Sequence, residues 1–309
     1  MQSCNNFIFL QSKKTQINML SIIICSRTKE INDNLLRNIK EHIGNIIYEI
    51  ICIDNSKNQY NIFQAYNNGI KKASYPYLCF MHDDILFHSD NWGRNIIKHF
   101  EDESIGMLGI SGPRFLSFVP SIWWGSNAYN KYSPSVCQHS LDTNRNTRVS
   151  VYQNIKPTYK NTIDVIAIDG LFFCIRKSLF DHISFDEKTY KGFHFYDLDI
   201  SMQIKNSGYR IVVIYDVLIE HISASQLNIS WLDSARFFYD KWKNNLPLTT
   251  YKMTLKERKN LERSSLKVMS EILSDNHVSM ISYLKLREIL YLSIWYPQSI
   301  AKMIGNIFH

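Results

Sequence analysis

The chain contains 309 residues, of which 45% are hydrophobic and 20% are charged, and its formal net charge is +7. This apolar fraction supplies a core and excludes a disordered chain, while 11 glycines and 7 prolines exclude a collagen-like protein. The length predicts one large domain or one domain with an appendage. No stretch reaches the ~20 apolar residues of a membrane-spanning helix, and the six cysteines lack metal-binding spacing, so we expect a cytoplasmic protein.

Strand-like and helix-like patterns alternate through the first half of the chain. Residues 20–25 form a continuous apolar run, which is typical of a strand covered on both faces. Apolar residues then recur every three or four positions, as in an amphipathic helix. The predicted order is strand 20–25, helix 31–43, strand 46–53, helix 62–70 and strand 77–81. Such alternation predicts an α/β fold with a mainly parallel central sheet flanked by helices.

The rest of the chain changes character twice. Residues 112–162 show little periodicity and read as a long functional excursion. Strands are predicted at 165–168, 171–175, 210–215 and 217–222, with a helix at 199–206. The pattern after Trp231 is helical. We therefore predict an N-terminal extension at 1–18, an α/β domain at 19–230 and a C-terminal helical extension at 231–309.

Polar residues follow each of the first three predicted strands. Ligands of parallel α/β sheets bind beyond the carboxyl ends of the strands, so these groups predict a binding site. For any single aspartate, a helix cap or a turn is the simpler explanation, and three strand ends together favour a site. The residues are Cys25, Ser26, Arg27, Asp54, Asn55, Ser56, His82, Asp83 and Asp84.

The adjacent carboxylates Asp83 and Asp84 point to a cation. Like charges this close are costly unless something compensates them, and Mg2+ or Mn2+ with substrate phosphates supplies that compensation. This predicts a nucleotide-diphosphate ligand. No Walker A loop and no GxGxxG follows a strand, which excludes the usual P-loop and dinucleotide sites.

Several segments together resemble family 2 inverting glycosyltransferases of the GT-A fold, and most of all the branch associated with streptomycin biosynthesis proteins. The segments are SIIICSRT, EIICIDNS, FQAYNNGIKKA, YPYLCFMHDDI, IDGLFFCIRKSLFDHISFDE and FYDLDISMQIKNSGYRI. The resemblance implies transfer of a sugar from a nucleotide-sugar donor, guessed to be a UDP-sugar, to an acceptor hydroxyl group. It also implies a hexosyltransferase-like activity in surface polysaccharide or glycoconjugate synthesis.

The same resemblance assigns donor-binding residues. Asp54 matches the aspartate that contacts the nucleotide base, and Asn67 matches a further polar residue of the nucleotide site. Asp83 and Asp84 fall where the metal-binding DxD motif ends, although Met81 stands at its first position. The resemblance places His221 near the metal. The implied nucleotide-binding set is Cys25, Ser26, Arg27, Asp54, Asn55, Ser56, Asn67 and Asp83, and the implied metal set is Asp83, Asp84 and His221.

Asp197 matches the general base of the family. A sugar hydroxyl is a poor nucleophile, and a carboxylate within hydrogen-bond reach removes its proton as the new bond forms. Tyr196 replaces the usual acidic neighbour. Asp199 lies two residues on, about 200° around a helix from Asp197, and is predicted to be the N-cap of the following helix.

Four residues are predicted to face the acceptor. Aromatic rings pack well on the C–H faces of sugars, which favours Trp123 or Trp124, while packing of the loop onto the body is an equal alternative. By resemblance, Asp169 and Gly170 lie where the fold opens onto the acceptor, and the glycine permits a close backbone approach or a tight turn.

The C-terminal segment is basic and amphipathic. Residues 251–309 hold nine Lys and Arg against five Asp and Glu. Such a segment fits packing or dimerisation, or contact with the inner face of a membrane where lipid-linked acceptors reside. The basic residues alternate with acidic ones, which argues against nucleic-acid binding.

Two functional hypotheses follow. The first is a metal-assisted, inverting glycosyltransferase. The alternative is a non-catalytic nucleotide-sugar binding or scaffold subunit whose metal motif has degenerated at Met81. A nucleotidyltransferase fits less well, because no Gly-rich loop with Lys or Arg follows the first strand.

Overall fold

The computed structural model describes residues 18–123, 135–142, 147–154, 162–222 and 227–295. The chain divides into two compact units. Unit 1 comprises Met1–Gly112 and Ser133–Ser225, and unit 2 comprises Pro113–Tyr132 and Gln226–His309. The strands are β1 (Met19–Ser26), β2 (Ile47–Asp54), β3 (Tyr77–Met81), β4 (Ile85–Phe87), β5 (Ile105–Gly109), β6 (Phe115–Leu116), β7 (Ser135–Asp142), β8 (Thr147–Asn154), β9 (Thr162–Asp164), β10 (Phe172–Arg176), β11 (Arg210–Ile214), β12 (Ile219–Ile222) and β13 (Leu248–Thr249). The helices are α1 (Asp33–His42), α2 (Ile62–Lys72), α3 (Trp92–His99), α4 (Tyr196–Asn206), α5 (Ile229–Lys241), α6 (Leu255–Asp275), α7 (Met280–Tyr283) and α8 (Leu286–Trp295).

A seven-stranded sheet forms the centre of unit 1, in the order β2-β1-β3-β10-β5-β11-β9. Strands β1, β2, β3, β5 and β11 share one direction, whereas β9 and β10 run against it. The predicted α/β class with a mainly parallel sheet is confirmed. Because β1 and β3 are buried along almost their whole length, their sequences are continuous apolar runs instead of alternating ones.

The first two helices form where the apolar spacing predicts them. Ile31, Leu35, Ile39 and Ile43 all lie in the core, and the Asn32 side chain caps α1 by accepting a hydrogen bond from the Asn34 amide. Helix α2 begins with a capping box between Asn61 and Gln64, which satisfies two amides that the first turn would otherwise leave unpaired.

A second, four-stranded sheet has the order β4-β12-β8-β7. The predicted lack of regular structure across 112–162 is wrong here, because β7 and β8 form an antiparallel hairpin. The strand predicted at 165–168 is also wrong. Those four residues are buried as the apolar run requires, but the strand lies just before them, at β9. An apolar run reports burial, and burial does not require sheet pairing.

Unit 2 joins the C-terminal helices to a segment from the middle of the chain. The described part of that segment, residues 113–123, was assigned by sequence to the α/β domain, and that assignment is corrected. Both carboxylate oxygens of Glu262 on α6 accept from the Phe118 amide, at 3.0 and 3.2 Å, and β6 pairs with β13. Arg236 on α5 forms two hydrogen bonds with the fully buried Glu288 on α8. Among the described helices, none is long and apolar enough to cross a membrane.

Candidate active site

The ends of the first three strands meet at one edge of the large sheet. Ser26 on β1 is in register with Asp54 on β2, and the Asn55 amide donates to the Ser26 carbonyl at 2.9 Å. From the end of β1, Arg27 reaches across to Asp83, which follows β3. The convergence predicted from the sequence is therefore present in the structure.

Asp83 is held by Arg27. The Arg27 backbone amide donates to Oδ2 of Asp83 at 2.9 Å, and the guanidinium donates to Oδ1 through Nε at 2.9 Å. A second guanidinium nitrogen lies 2.6 Å from the same Oδ1 and 3.1 Å from Oδ2 of Asp84. Both oxygens of Asp83 are thus paired with Arg27, and its role as a metal ligand stays a prediction.

A different trio gathers around Asp84. His221 on β12 lies opposite Ile85 in the antiparallel pairing with β4, which brings it next to Asp84. The Asp84 Oδ1 atom lies 3.3 Å from His221 Nε2 and 3.8 Å from His82 Nδ1, and the two histidine nitrogens are 3.4 Å apart. Among the described residues, His82, Asp84 and His221 are a group whose geometry could hold a metal ion. Sequence reasoning placed Asp84 and His221 there and missed His82.

The chemistry of this trio fits a divalent cation. Asp84 Oδ1 is buried and receives no well-formed hydrogen bond among the described residues. Burial raises the pKa of Asp84, but the proximity of His221, together with His82 and Arg27, outweighs that effect and lowers the pKa overall. Burial, and then the neighbouring His221, lower the pKa of His82 to about 4. At neutral pH the trio thus offers a carboxylate and a neutral His82 imidazole, which are the forms that bind metals.

Tyr196 contacts the trio from the first turn of α4. Its hydroxyl group and Nε2 of His82 are 2.8 Å apart and hydrogen bonded. The ring packs edge-on against Phe63 and Tyr66, deep in the aromatic core. The preceding residue, Phe195, has a φ of 66° in the left-handed region, a strained conformation for a bulky residue that its buried ring helps to hold.

Asp197 lies beside Tyr196 in the same turn. Its Oδ2 accepts from the Gly170 amide at 2.8 Å and its Oδ1 accepts from the Leu198 amide at 2.9 Å. Asp197 as a whole residue is half-buried. Burial and then the nearby charge of Asp169 raise the pKa of Asp197 to about 7. A carboxyl group with a pKa near neutrality is suited to accept a proton.

Asp199 is not an N-cap, because α4 begins at Tyr196. Asp199 instead lies inside the first turn and is 1% exposed, where it accepts hydrogen bonds from the Tyr190 hydroxyl and the Gln203 amide. The expected divergence from Asp197 is present: one carboxylate faces Gly170 and the other faces Tyr190.

Gly170 makes room for Tyr196. A Cβ atom at position 170 would collide with the Tyr196 hydroxyl group. The close approach that this glycine permits is therefore to Tyr196, within the protein. Its neighbour Asp169 accepts from the Leu171 amide at 3.1 Å, and burial raises the pKa of Asp169.

The other predicted donor-site residues have varied surroundings. Asp54 accepts from the Ser56 amide at 3.0 Å, and this bond lowers its pKa. Asn55 is buried and ties the following loop to Tyr60. Burial raises the pKa of Cys25 to about 11, so its thiol is neutral. Asn67 holds the 185–187 segment through Phe185 and Glu187, and among the described residues no hydrogen bond joins it to the strand ends.

Of the two tryptophans predicted to face the acceptor, one lies within the described residues. Trp123 is 5% exposed and lies in unit 2, which agrees with the packing alternative, and its contact with an acceptor stays a prediction. Trp124 lies outside the described residues.

Comparisons with known proteins agree with the motifs. Residues 21–245 match the model of the glycosyltransferase like family. A curated protein described as streptomycin biosynthesis protein StrF, from Streptomyces griseus, is 26% identical over 161 residues, which is 51% of this chain and 51% of that protein. The chain thus spans about half the length of that curated relative. These two matches confirm the predicted resemblance.

Two solved structures are also similar. GalNAc-T7, crystallised with UDP, GalNAc and Mn2+, has a TM-score of 0.42 at 13% identity, covering 85% of this chain and 53% of that one. A197 from STIV has a TM-score of 0.35 at 12% identity, covering 67% and 86%.

Proposed function

Because the chain belongs to the glycosyltransferase-like family, we propose that it transfers a sugar from a nucleotide-sugar donor to an acceptor hydroxyl group with inversion at the anomeric carbon. The observation that carries the proposal is the position of Asp197. Its carboxyl group has a pKa of about 7 and accepts a hydrogen bond from the Gly170 amide. Because Gly170 has no side chain, Tyr196 fits beside it and bonds to His82.

In the proposed reaction, Asp197 accepts the proton of the acceptor hydroxyl group while the oxygen attacks the anomeric carbon. The new C–O bond forms as the bond between that carbon and the diphosphate oxygen breaks, and its electron pair leaves with the nucleoside diphosphate. The amides of Gly170 and Leu198 hold the carboxylate in one orientation, which lowers the entropic cost of the attack.

His82, Asp84 and His221 would hold a divalent cation beside the donor. When bound, such a cation supplies positive charge at the leaving diphosphate. Arg27 keeps Asp83 fixed and is itself largely exposed, so its guanidinium is available to diphosphate oxygens as well. Asp54, at the end of β2, is proposed to contact the nucleotide base, which we take to be uracil.

For the acceptor, the proposal names a class of molecule and not a single compound. We propose a carbohydrate or lipid-linked acceptor, approached past Asp169 and Gly170, and a role in surface polysaccharide or glycoconjugate synthesis. Contact with the inner face of a membrane, or a homodimer, would involve the basic C-terminal segment, which carries nine Lys and Arg from residue 251 onward.

Replacing Asp197 with Asn tests the base. The amide cannot accept the proton, so we expect the transfer rate to fall by about 10²–10⁴-fold while donor affinity stays within about threefold. Donor affinity is measured by calorimetry with a panel of nucleotide sugars in the presence of Mn2+. Product stereochemistry is read by NMR of the anomeric proton.

Asp199→Asn is the matched control, because it makes the same chemical change two residues away on the other side of α4. It should retain transfer within a few-fold. Wild-type turnover by Asp197→Asn would remove Asp197 from the mechanism. Donor binding without hydrolysis or transfer in the wild type would favour the non-catalytic alternative.

A further inference from the structure

The three candidate metal donors form a compact triangle. His221 Nε2 lies 3.3 Å from Asp84 Oδ1 and 3.4 Å from His82 Nδ1, and Asp84 Oδ1 lies 3.8 Å from His82 Nδ1. Adjacent ligands around a cation with bonds of ~2.1 Å lie about 3.0 Å apart in an octahedron and about 3.4 Å apart in a tetrahedron. Two sides already match these spacings to within about 0.4 Å, and the third, between His82 Nδ1 and Asp84 Oδ1, would shorten by about 0.4 Å in a tetrahedral site or about 0.8 Å in an octahedral one. In an octahedral site three positions would stay open for phosphate oxygens and water.

Two imidazoles and one carboxylate are an unusual set for Mg2+. Mg2+ prefers carboxylates, phosphates and retained waters, whereas imidazole suits first-row transition cations. Met81 stands where the DxD motif has its first carboxylate, and the described residues put an imidazole into the cluster from the next position, His82. The donor set thus differs in chemical class from an all-carboxylate motif.

His82 has a partner that fixes which nitrogen faces the cluster. A neutral imidazole that offers the Nδ1 lone pair to a cation carries its proton on Nε2. Nε2 is the atom bonded to the Tyr196 hydroxyl group at 2.8 Å, so it would donate to the tyrosine oxygen. Hydrogen bonds of this kind orient histidine ligands and raise their basicity. The Tyr196 ring has little freedom to move, because it packs against Phe63, Tyr66 and Phe173.

We propose that Tyr196 is a positioning residue that holds His82 as a metal ligand, so that the site selects a transition cation such as Mn2+ over Mg2+. The inference deepens the proposed glycosyltransferase function and names the cation class of its site. It assigns a role to the tyrosine that replaces the usual acidic residue before Asp197.

The test measures cation binding to the full chain without any nucleotide. Free Mn2+ is followed by its electron paramagnetic resonance signal, and Mg2+ is titrated as a competitor. We expect the wild type to bind Mn2+ at least about tenfold more tightly than Mg2+. Tyr196→Phe keeps the packed ring and removes the hydroxyl group, and it should weaken Mn2+ binding by about 10–100-fold.

Tyr190→Phe is the matched control. It removes another buried hydroxyl group from the same aromatic cluster, one bonded to Asp199 and not to a metal donor. It should leave Mn2+ affinity unchanged. Unfolding midpoints of both variants report any loss of structure separately from cation binding.

A double-mutant cycle with His82→Ala identifies the route of the effect. If Tyr196 acts through His82, Tyr196→Phe has no further effect on Mn2+ affinity in the His82→Ala background. Equal losses in both backgrounds, an unchanged Mn2+ affinity in Tyr196→Phe, or Mg2+ binding as tight as Mn2+ binding in the wild type would each overturn the proposal. If the Mn2+ and Mg2+ titrations give the expected affinities but the wild type transfers no sugar, only the proposed function is overturned. If the wild type transfers sugar but shows no preference for Mn2+, only this inference is overturned.

Discussion

At the scale of single residues, the candidate base depends on a second carboxylate, Asp169, whose charge raises the pKa of Asp197. Asp169 and Asp197 lie on either side of Gly170, and each accepts a hydrogen bond from a backbone amide. Burial comes first in raising the pKa of Asp197, and the charge of Asp169 comes next. The pKa of the base is thereby brought to about 7, where the carboxylate is basic enough to take a proton and about half of it is ionised at neutral pH.

The pH profile of transfer should show this arrangement. A general base acts when deprotonated, so kcat/KM should rise with pH through a midpoint near 7 in the wild type. Asp169→Asn removes the neighbouring negative charge and should shift that midpoint to lower pH. An unshifted midpoint in Asp169→Asn would contradict electrostatic coupling between the two carboxylates.

The metal trio shows why part of the site escaped sequence reasoning. Asp84 and His221 were predicted from their motif positions, and both lie in the cluster. His82 was predicted only as one of the polar residues after the third strand and not as a ligand, because its partners Tyr196 and His221 are 114 and 139 residues away along the chain. Spacing along one strand end does not reveal contacts that only the sheet pairing creates.

At the scale of elements, strands and helices with a long apolar run or a regular apolar repeat were predictable, and the mainly polar strands of the second sheet were not. The run at β1 and the four-residue repeat in α1 both report burial directly. By contrast, β7 and β8 contain few apolar residues, so no apolar period marks them. The start of α4 was placed three residues late, because Asp199 is a good N-cap residue while the observed N-cap, Phe195, is not.

Helix α6 carries a buried acid that should make stability depend on pH. Burial raises the pKa of Glu262 to about 7, against the hydrogen bonds from Phe118 and Tyr291. The folded protein therefore binds this proton more tightly than the unfolded chain does. The stability that protonated Glu262 contributes is fully present below the pKa of the unfolded chain, about 4.5, and is lost as the pH rises through about 7.

Glu262→Gln should remove that dependence, because glutamine does not titrate and its oxygen can still accept from the Phe118 amide. Relative to wild type, the variant should gain about 3 kcal/mol of unfolding free energy at pH 8 and less than about 1 kcal/mol at pH 5. Urea unfolding at both pH values measures the difference. Glu271→Gln, an exposed change on the same helix, should show no pH-dependent difference. Parallel pH curves for wild type and Glu262→Gln would contradict the assignment.

At the scale of the whole molecule, the helical unit is not only a C-terminal appendage. The chain enters unit 2 at Pro113, leaves it after Tyr132 and returns at Gln226. Val119 from the first passage packs in a buried cluster with Leu284 and Leu292 from the second. The sequence pattern showed a helical C-terminus but gave no sign that a mid-chain segment belongs with it.

A chain ending at residue 230 should therefore be less soluble than the full chain. It lacks the partners of Val119 and of the Phe118 amide, so it would expose apolar surface that the full chain buries. We expect several-fold lower soluble yield and stronger fluorescence of a hydrophobic dye than for residues 1–309. Equal yield and equal dye fluorescence would contradict the structural role of residues 113–123.

Gly170 has a consequence for engineering acceptor preference. Its amide fixes the candidate base, and the absence of a side chain there leaves space for Tyr196. Under the proposed function, the acceptor approaches past Asp169 and Gly170, so the loop before β10 is where sequences for new acceptors would be grafted. Any graft must keep a glycine at position 170, because even alanine would displace the tyrosine and disturb the base and the cation site together. Libraries aimed at new acceptors should hold this position constant and vary its flanks.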